Sequence, residues 1–165
     1  MKRRTIFLSG ALALIALLAV VAQAAADNNI SRIRRATRAF HDTRKAQAAG
    51  YDLVPGLDFC FSDGEAGDMG IHYINTELMD TKVQLLKPEA MVYVPKRNGK
   101  LQLGAVEYIV PADEWDATGK KNPPRLMGHY FHLNAELGVY VLHAWVWKDN
   151  PSGMFEDWNP KVHCP

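Results

Sequence analysis

The hydrophobic pattern of this 165-residue chain changes at Gly50, and the part that follows limits the possible folds most strongly. Beyond Gly50, apolar and polar residues alternate in short runs bounded by turn residues, which is the pattern of half-buried β-strands. A chain with several such runs needs a sheet with at least one face turned toward a core. The six runs are Leu57–Phe61, Gly70–Asn75, Ala90–Val94, Leu101–Val110, Leu126–Leu133 and Val139–Trp147.

Turn residues between the runs predict how the strands are connected. Asn98-Gly99 suits a tight hairpin, so the third and fourth runs are expected to pair antiparallel. Glu136-Leu137-Gly138 joins the last two runs in a similar way. Residues 112–124 carry several charges, a glycine and two prolines, and they are predicted to form a long surface loop.

The segment before Gly50 has the spacing of a helix. Asn28 or Asn29 can cap its start, and Gly50 can end it in a left-handed conformation. The helix and the runs together predict an α+β fold, with an N-terminal helix packed on a curved, mainly antiparallel sheet; a small cupin-like β-barrel is the alternative. The apolar helix positions are Ile30, Ile33, Thr37, Phe40 and Ala48, and the many basic residues between them indicate a solvated face or, alternatively, an anion or partner surface.

Residues 1–26 have the three parts of a secretory signal peptide. Lys2, Arg3 and Arg4 precede an apolar stretch over residues 6–21, and small alanines follow where a signal peptidase would cut. The stretch is short for a retained membrane anchor, which needs about 20 residues. We therefore predict a periplasmic or secreted protein whose residues 27–165 form a single α+β domain. The adjacent arginines leave both the general and the twin-arginine export routes open.

The charge and the cysteines limit the class of protein further. Removal of the first three basic residues reduces the 19 basic side chains to 16, against 18 acidic ones, so nucleic acid and anionic membranes are not expected partners. Cys60 and Cys164 are the two cysteines, and in an oxidising compartment they are expected to form a disulfide. Two free thiols or a pair of metal ligands are the alternatives.

Three ionisable residues interrupt apolar strands. His72, Glu107 and His143 lie in runs whose neighbouring positions are apolar, and a buried polar group needs a hydrogen bond, a counter-charge or a metal. If adjacent strands bring them together, two imidazoles and one carboxylate form a site for Zn²⁺, Fe²⁺ or Cu²⁺. The alternative is a hydrogen-bonded network that fixes the core.

Other residues are candidates for the lining of the same pocket. Tyr73, Tyr108, His132 and Trp145 are predicted to bind a small ligand beside the three ionisable residues, although aromatic residues in a small sheet also serve as core fillers. His129 lies three residues before His132, so on a strand the two side chains point to opposite faces.

Three functional classes remain open on these observations. The first is an exported domain that binds a small ligand or a transition metal in a pocket of histidine, glutamate and aromatic residues. The second is a metal-dependent enzyme for oxygen chemistry or hydrolysis, and the third is an envelope interaction protein with a purely structural network. The chain contains no glycine-rich phosphate loop, no His-Glu-x-x-His and no Gly-x-Ser-x-Gly. The oligomeric state is left open.

Several short motifs follow one another in a characteristic order along the chain. The chain resembles a widespread, uncharacterised family of secreted bacterial proteins, and the resemblance covers nearly all of residues 27–165. It implies export and a single domain, without assigning a mechanism. The motifs are Met69-Gly70-Ile71-His72-Tyr73, Val106-Glu107-Tyr108, Leu142–Trp147, Asn150–Phe155, Trp158-Asn159-Pro160 and Cys164.

Overall fold

A six-stranded antiparallel sheet organises residues 27–165, the part of the chain that this computed structural model describes. The predicted signal peptide lies outside the described residues. The strands of the sheet occur in the order β1-β2-β3-β4-β8-β7, and β5 and β6 form a separate two-stranded hairpin. The strands are β1 Cys60–Ser62, β2 Asp68–Ile74, β3 Ala90–Pro95, β4 Leu101–Pro111, β5 Arg125–Leu126, β6 His129–Tyr130, β7 His132–Asn134 and β8 Val139–Ala144.

The sheet is strongly curled into a half-barrel, so the predicted α+β class with a curved antiparallel sheet is confirmed. Register shifts between Phe61 and Ser62 and between Val92 and Tyr93 contribute to the curl, because an extra residue bends the strand that carries it. Gly70 has φ of +110°, and a Cβ there would lie 2.4 Å from the carbonyl oxygen of Tyr93. Glycine at this position therefore lets β2 approach the shifted part of β3.

The N-terminal helix is interrupted, whereas the sequence predicts one continuous helix up to Gly50. Residues 27–37 form helix α1, a 3₁₀ turn covers Arg38–His41, and α2 covers Thr43–Ala48. The break falls at Asp42, whose extended backbone (φ −95°, ψ 110°) lets its side chain accept from the backbone N–H of Arg44. This local capping competes with a continuous helix. Gly50 has φ of +89° and follows α2 as predicted.

Two further segments differ from the prediction. The run 126–133 is not one strand, because Met127 and Gly128 both have positive φ and turn the chain into the β5–β6 hairpin before β7 begins. The expected loop 112–124 begins with helix α3, Ala112–Ala117, which buries Trp115. The indole N–H of Trp115 donates to the carbonyl of Asn122, and this bond folds the remaining loop against the helix.

The two faces of the sheet have different coverings. One face carries Tyr93, Val106 and Tyr108 and packs against Ile30 and Ile33 of α1 in the largest apolar cluster. The opposite face has two smaller clusters, which are separated by polar side chains. One contains Ile74, Ala90, Ile109, Val139 and Val141, and the other contains Val92, Val94, Ala105, Trp145 and Val162. The helix therefore covers one side, and the second side is left for loops and the C-terminal tail.

A disulfide joins Cys60 to Cys164, which confirms the predicted pairing. It links β1 to the last residues of the chain across a separation of 104 residues. The backbone N–H of Cys164 also donates to Asp68, and Asp68 bridges to Asn159, so the tail is fixed to β1 and β2 at several points. Within residues 27–165, no helix combines the length and apolar character needed to cross a membrane.

A buried carboxyl group terminates the pairing of β3 with β4. Glu89 is 2% exposed, and its side chain accepts from the backbone N–H of Ile109 at 3.0 Å. The last residue pair between these strands is Ala90 with Glu107, so the carboxyl group provides an acceptor where β3 no longer can. Burial raises the pKa of Glu89 to about 8, against an ordinary value of 4.5.

This raised pKa predicts a loss of stability with increasing pH. Above about pH 4.5 the unfolded chain ionises Glu89, whereas the folded chain keeps the proton until about pH 8, so ionisation favours unfolding across that range. The Glu89→Gln variant retains an acceptor and removes the titration. Denaturant titrations at pH 5 and pH 8 are expected to show wild type losing a few kcal/mol more than the variant, because each pKa unit corresponds to about 1.4 kcal/mol. Equal losses in the two proteins would contradict this assignment.

Candidate metal centre

Strand pairing brings His72, Glu107 and His143 to one face of the sheet. Glu107 on β4 pairs directly with His143 on β8, and directly paired residues of antiparallel strands point to the same side. His72 on β2 pairs with Val92, which pairs in turn with Ala105, two positions from Glu107 on β4. The three side chains therefore converge although about 35 residues separate each from the next along the chain.

The carboxylate of Glu107 lies between the two imidazoles. Its Oε2 is 3.4 Å from Nε2 of His72, and its Oε1 is 3.5 Å from Nδ1 of His143. One donor atom from each of the three residues lies within 4.8 Å of the other two. The two rings stand almost perpendicular, at 88°, with their centroids 5.4 Å apart.

These separations are too long for good hydrogen bonds and suit donors that share an ion. Hydrogen bonds between nitrogen and oxygen have lengths of about 2.7–3.2 Å. Two donors bound to one ion at about 2.0–2.1 Å in a tetrahedron lie about 3.3–3.4 Å apart. The two distances reach different oxygens of Glu107, so one ion would be held by both oxygens or by one oxygen after a rotation of the carboxylate. Both nitrogens of His143 and Nδ1 of His72 are buried without a hydrogen-bond partner among the described residues. The arrangement has the donor types and spacing of a metal centre.

Burial affects the protonation of His72 and Glu107 in ways that favour metal coordination. His143 is fully buried, and His72 and Glu107 are less than 10% exposed. Burial, together with the neighbouring His143, lowers the pKa of His72 to about 3, so its imidazole is neutral at neutral pH. Burial raises the pKa of Glu107, which records the cost of a carboxylate with little hydration. Neutral imidazoles are the form that binds a metal, and a cation would offset the cost of the buried carboxylate.

A second carboxylate, Asp157, reaches the site from the C-terminal tail. Its Oδ1 lies 3.6 Å from Nδ1 of His143 and has no hydrogen-bond partner in the described part of the chain, whereas its Oδ2 accepts from Nε2 of His132 at 3.0 Å. Burial opposes ionisation of Asp157, but His132 and His143 outweigh it and hold the pKa of Asp157 well below its usual value. The same hydrogen bond raises the pKa of His132. Asp157 was not predicted from the sequence, because a single acidic residue in an irregular tail gives no periodic signal.

A cavity of about 310 Å³ lies beside these groups. His72, Glu107, His132 and Asp157 line it, together with ten apolar side chains. Thr76, His132 and Leu137 are both lining and exposed, which places the mouth of the cavity near β7 and the loop after β2. The apolar lining consists of Val54, Leu57, Phe61, Met69, Ile74, Met79, Ile109, Leu137, Val139 and Val141.

The other predicted pocket residues have different positions. Tyr73 and Tyr108 do not join the site: each follows a site residue directly on its strand, so alternation turns it to the α1 face, where it belongs to the main core. Trp145 stacks on His143 with ring centroids 5.8 Å apart, but it packs in the smaller cluster and does not line the cavity. His132 does line the cavity, whereas His129 is exposed and stacks on Phe155.

Comparison with known proteins adds no assignment. No family model, no curated protein and no solved structure matches this chain.

The geometry predicts how Glu107 affects the metal-free protein. Its contacts at 3.4 and 3.5 Å compensate poorly for the burial of a carboxylate, so Glu107→Met, with similar volume, is expected to keep or raise the free energy of unfolding in the presence of EDTA. The expected change lies between zero and about 4 kcal/mol, measured by chemical denaturation. A decrease of about 2 kcal/mol or more would instead identify the three residues as a network that stabilises the fold.

Proposed function

We propose that this protein is an exported domain that binds one divalent transition metal ion through His72, Glu107 and His143. The observation that carries the proposal is the position of the Glu107 carboxylate between two imidazoles, at distances of 3.4 and 3.5 Å. Three nitrogens of these imidazoles are buried without a hydrogen-bond partner among residues 27–165. Two imidazoles and a carboxylate suit zinc, iron or copper. Zinc, which takes nitrogen and oxygen ligands of these types at about 2.0–2.2 Å, is the ion with which the proposal is tested.

The sheet supplies a rigid support for this binding. The three donors come from β2, β4 and β8, which pair within one sheet, so their relative positions are set by backbone hydrogen bonds. A site built on strands holds its geometry better than one built on loops. We infer that the ion occupies a largely preformed site and that most of the binding free energy is not needed for folding.

The proposal predicts binding of one zinc ion per chain. Untagged wild-type protein, freed of metal and titrated against a chromophoric chelator, is expected to bind one equivalent of Zn²⁺. His72→Ala and His143→Ala are expected to weaken binding by roughly 100-fold or more, since loss of even an outer partner of a ligand costs about 10–100-fold. Zinc at 100 times its dissociation constant should raise the free energy of unfolding by about 2.7 kcal/mol.

His129→Ala is the matched control for these two variants. His129 is exposed and contacts Phe155 rather than the site, so its loss should leave zinc affinity unchanged. Absence of zinc, iron and copper binding in wild type would overturn the proposed function. Equal weakening in the His129 variant would assign the binding to surface histidines instead.

A second candidate function rests on the cavity itself. Ten of its sixteen lining residues are apolar. The ionisable residues of the lining are His72, Glu107, His132 and Asp157. Its volume of about 310 Å³ lies at the lower end of the range for small-molecule sites, about 300–1,000 Å³. These features favour a small, mainly apolar ligand with one polar group, bound next to the metal.

This second function predicts binding of a simple probe. Octan-1-ol is expected to bind wild type with one site by calorimetry, and Val139→Phe, which fills the cavity from β8, should weaken that binding at least tenfold while zinc binding persists. Leu133→Phe is the control, because Leu133 is exposed on β7 and lies outside the lining. Lack of octanol binding in wild type, or equal binding in both variants, would remove the cavity function and leave the metal proposal intact.

A further inference from the structure

We propose that Asp157 is the fourth donor of the metal centre, so that the bound ion is enclosed by two nitrogens and two oxygens of the protein, and that His132 is the positioning residue of Asp157. The inference rests on the proposed metal function. It goes beyond it by assigning a ligand outside the sheet and by deciding that no coordination position is left for water or substrate.

Two carboxylates lie at similar distances from Nδ1 of His143. Nδ1 of His143 lies 3.5 Å from Glu107 and 3.6 Å from Asp157, so the second carboxylate stands at nearly the same separation as the first. Donors of a tetrahedral ion with bonds of about 2.0–2.1 Å lie about 3.3–3.4 Å apart. Asp157 is not among the residues whose donor atoms all lie within 4.8 Å of one another, so its side chain has to move toward the ion to complete the shell. Oδ1 of Asp157 is buried and has no hydrogen-bond partner among residues 27–165. A buried acceptor of this kind is rarely left unsatisfied.

The other oxygen of the Asp157 carboxylate is held by His132. Nε2 of His132 donates to Oδ2 of Asp157 at 3.0 Å, so only Oδ1 is turned toward His143. Carboxylates that bind metals are commonly held in this way by an outer hydrogen bond. The side chain of His132 is about half exposed, which places it at the rim of the site rather than among the donors.

The backbone around Asp157 is fixed on both sides. The side-chain amide of Asn150 donates to the carbonyls of Glu156 (3.3 Å) and Trp158 (3.0 Å), the two neighbours of Asp157. The indole N–H of Trp145 donates to the same Glu156 carbonyl at 2.7 Å. These three bonds hold the backbone on both sides of Asp157 in place before any ion arrives, so that only its side chain has to adjust.

A four-donor site differs in chemistry from a three-donor site. Closed tetrahedral zinc sites hold the metal and leave no bound water, whereas sites with three protein ligands keep a water whose pKa falls to about 7. Asp157 therefore makes this centre one for retention of the ion rather than for activation of water. The apolar cavity beside it would then bind its ligand without direct coordination.

Cobalt spectroscopy on the full mature chain tests the assignment. Co²⁺-loaded wild type is expected to show the intense visible absorption of a four-coordinate ion, unchanged between about pH 6 and 9. Asp157→Ala should bind Zn²⁺ roughly 100-fold more weakly. Its Co²⁺ spectrum should change with pH, because a water molecule now fills the open position and ionises near pH 7. A purely structural role of Asp157 would not produce that pH-dependent spectrum.

Further variants keep the test decisive if Asp157→Ala folds poorly. Asp157→Asn has the same shape, and it should also weaken zinc binding at least tenfold. His132→Ala should weaken zinc binding about tenfold, and His132→Gln, which retains a donor, should recover part of the loss. Asp149→Asn is the control, because this exposed carboxylate in the same tail pairs with Lys161 and should leave both affinity and spectrum unchanged.

The outcomes separate this inference from the proposed function. If wild type binds zinc and both Asp157 variants bind it equally well with the wild-type Co²⁺ spectrum, Asp157 is not a ligand and the three-residue centre stands. If wild type itself shows a pH-dependent spectrum near pH 7, the fourth position holds water and the inference is overturned. If wild type binds neither ion, the proposed function and this inference fail together.

Discussion

The register between β4 and β8 determines what this molecule presents in its pocket. Glu107 pairs with His143, and a slip of one residue would turn over the side chains of the strand that moves. Either Glu107 or His143 would then face α1, and Tyr108 or Ala144 would face the pocket. The register is firmly specified, because the α1 face buries large apolar residues that could not be exchanged for charged ones at acceptable cost. The packing of the core thus places the polar residues, and the polar residues contribute nothing to that placement.

Burial of polar groups on the sheet face opposite α1 is unfavourable in free energy. A carboxylate and two imidazoles are buried there at distances longer than hydrogen bonds, while neighbouring positions are filled by valine, isoleucine and alanine. Apolar residues at all three positions would continue the adjoining clusters. Proteins depart from consistent packing chiefly at functional sites, and this supports a functional role for the three residues.

The sequence predicts those features that depend on local periodicity. Alternation identified the sheet, Asn98-Gly99 identified its central hairpin, and the polar interruptions identified His72, Glu107 and His143. Prediction was wrong where a local hydrogen bond or turn overrides the pattern. Asp42 separates the 3₁₀ turn from α2, and Met127 turns an expected strand into a hairpin. Tyr73 and Tyr108 were placed at the pocket although alternation assigns them to the opposite face. Asp157 could not be found, because its position depends on tertiary contacts of an irregular tail.

If the proposed metal centre forms, the disulfide serves it as well as the stability of the fold. Cys164 ties the chain end to β1, Asn159 bridges to Asp68 at the start of β2, and Asp157 lies just before this anchor. β2 carries His72, so the bridge fixes the tail to the strand that provides one of the candidate donors. A carboxylate on a free tail would lose conformational entropy each time it met the ion, whereas a tethered one has lost most of it on folding. The long loop closed by the bridge therefore preorganises a contact between the last strand, the second strand and the chain end.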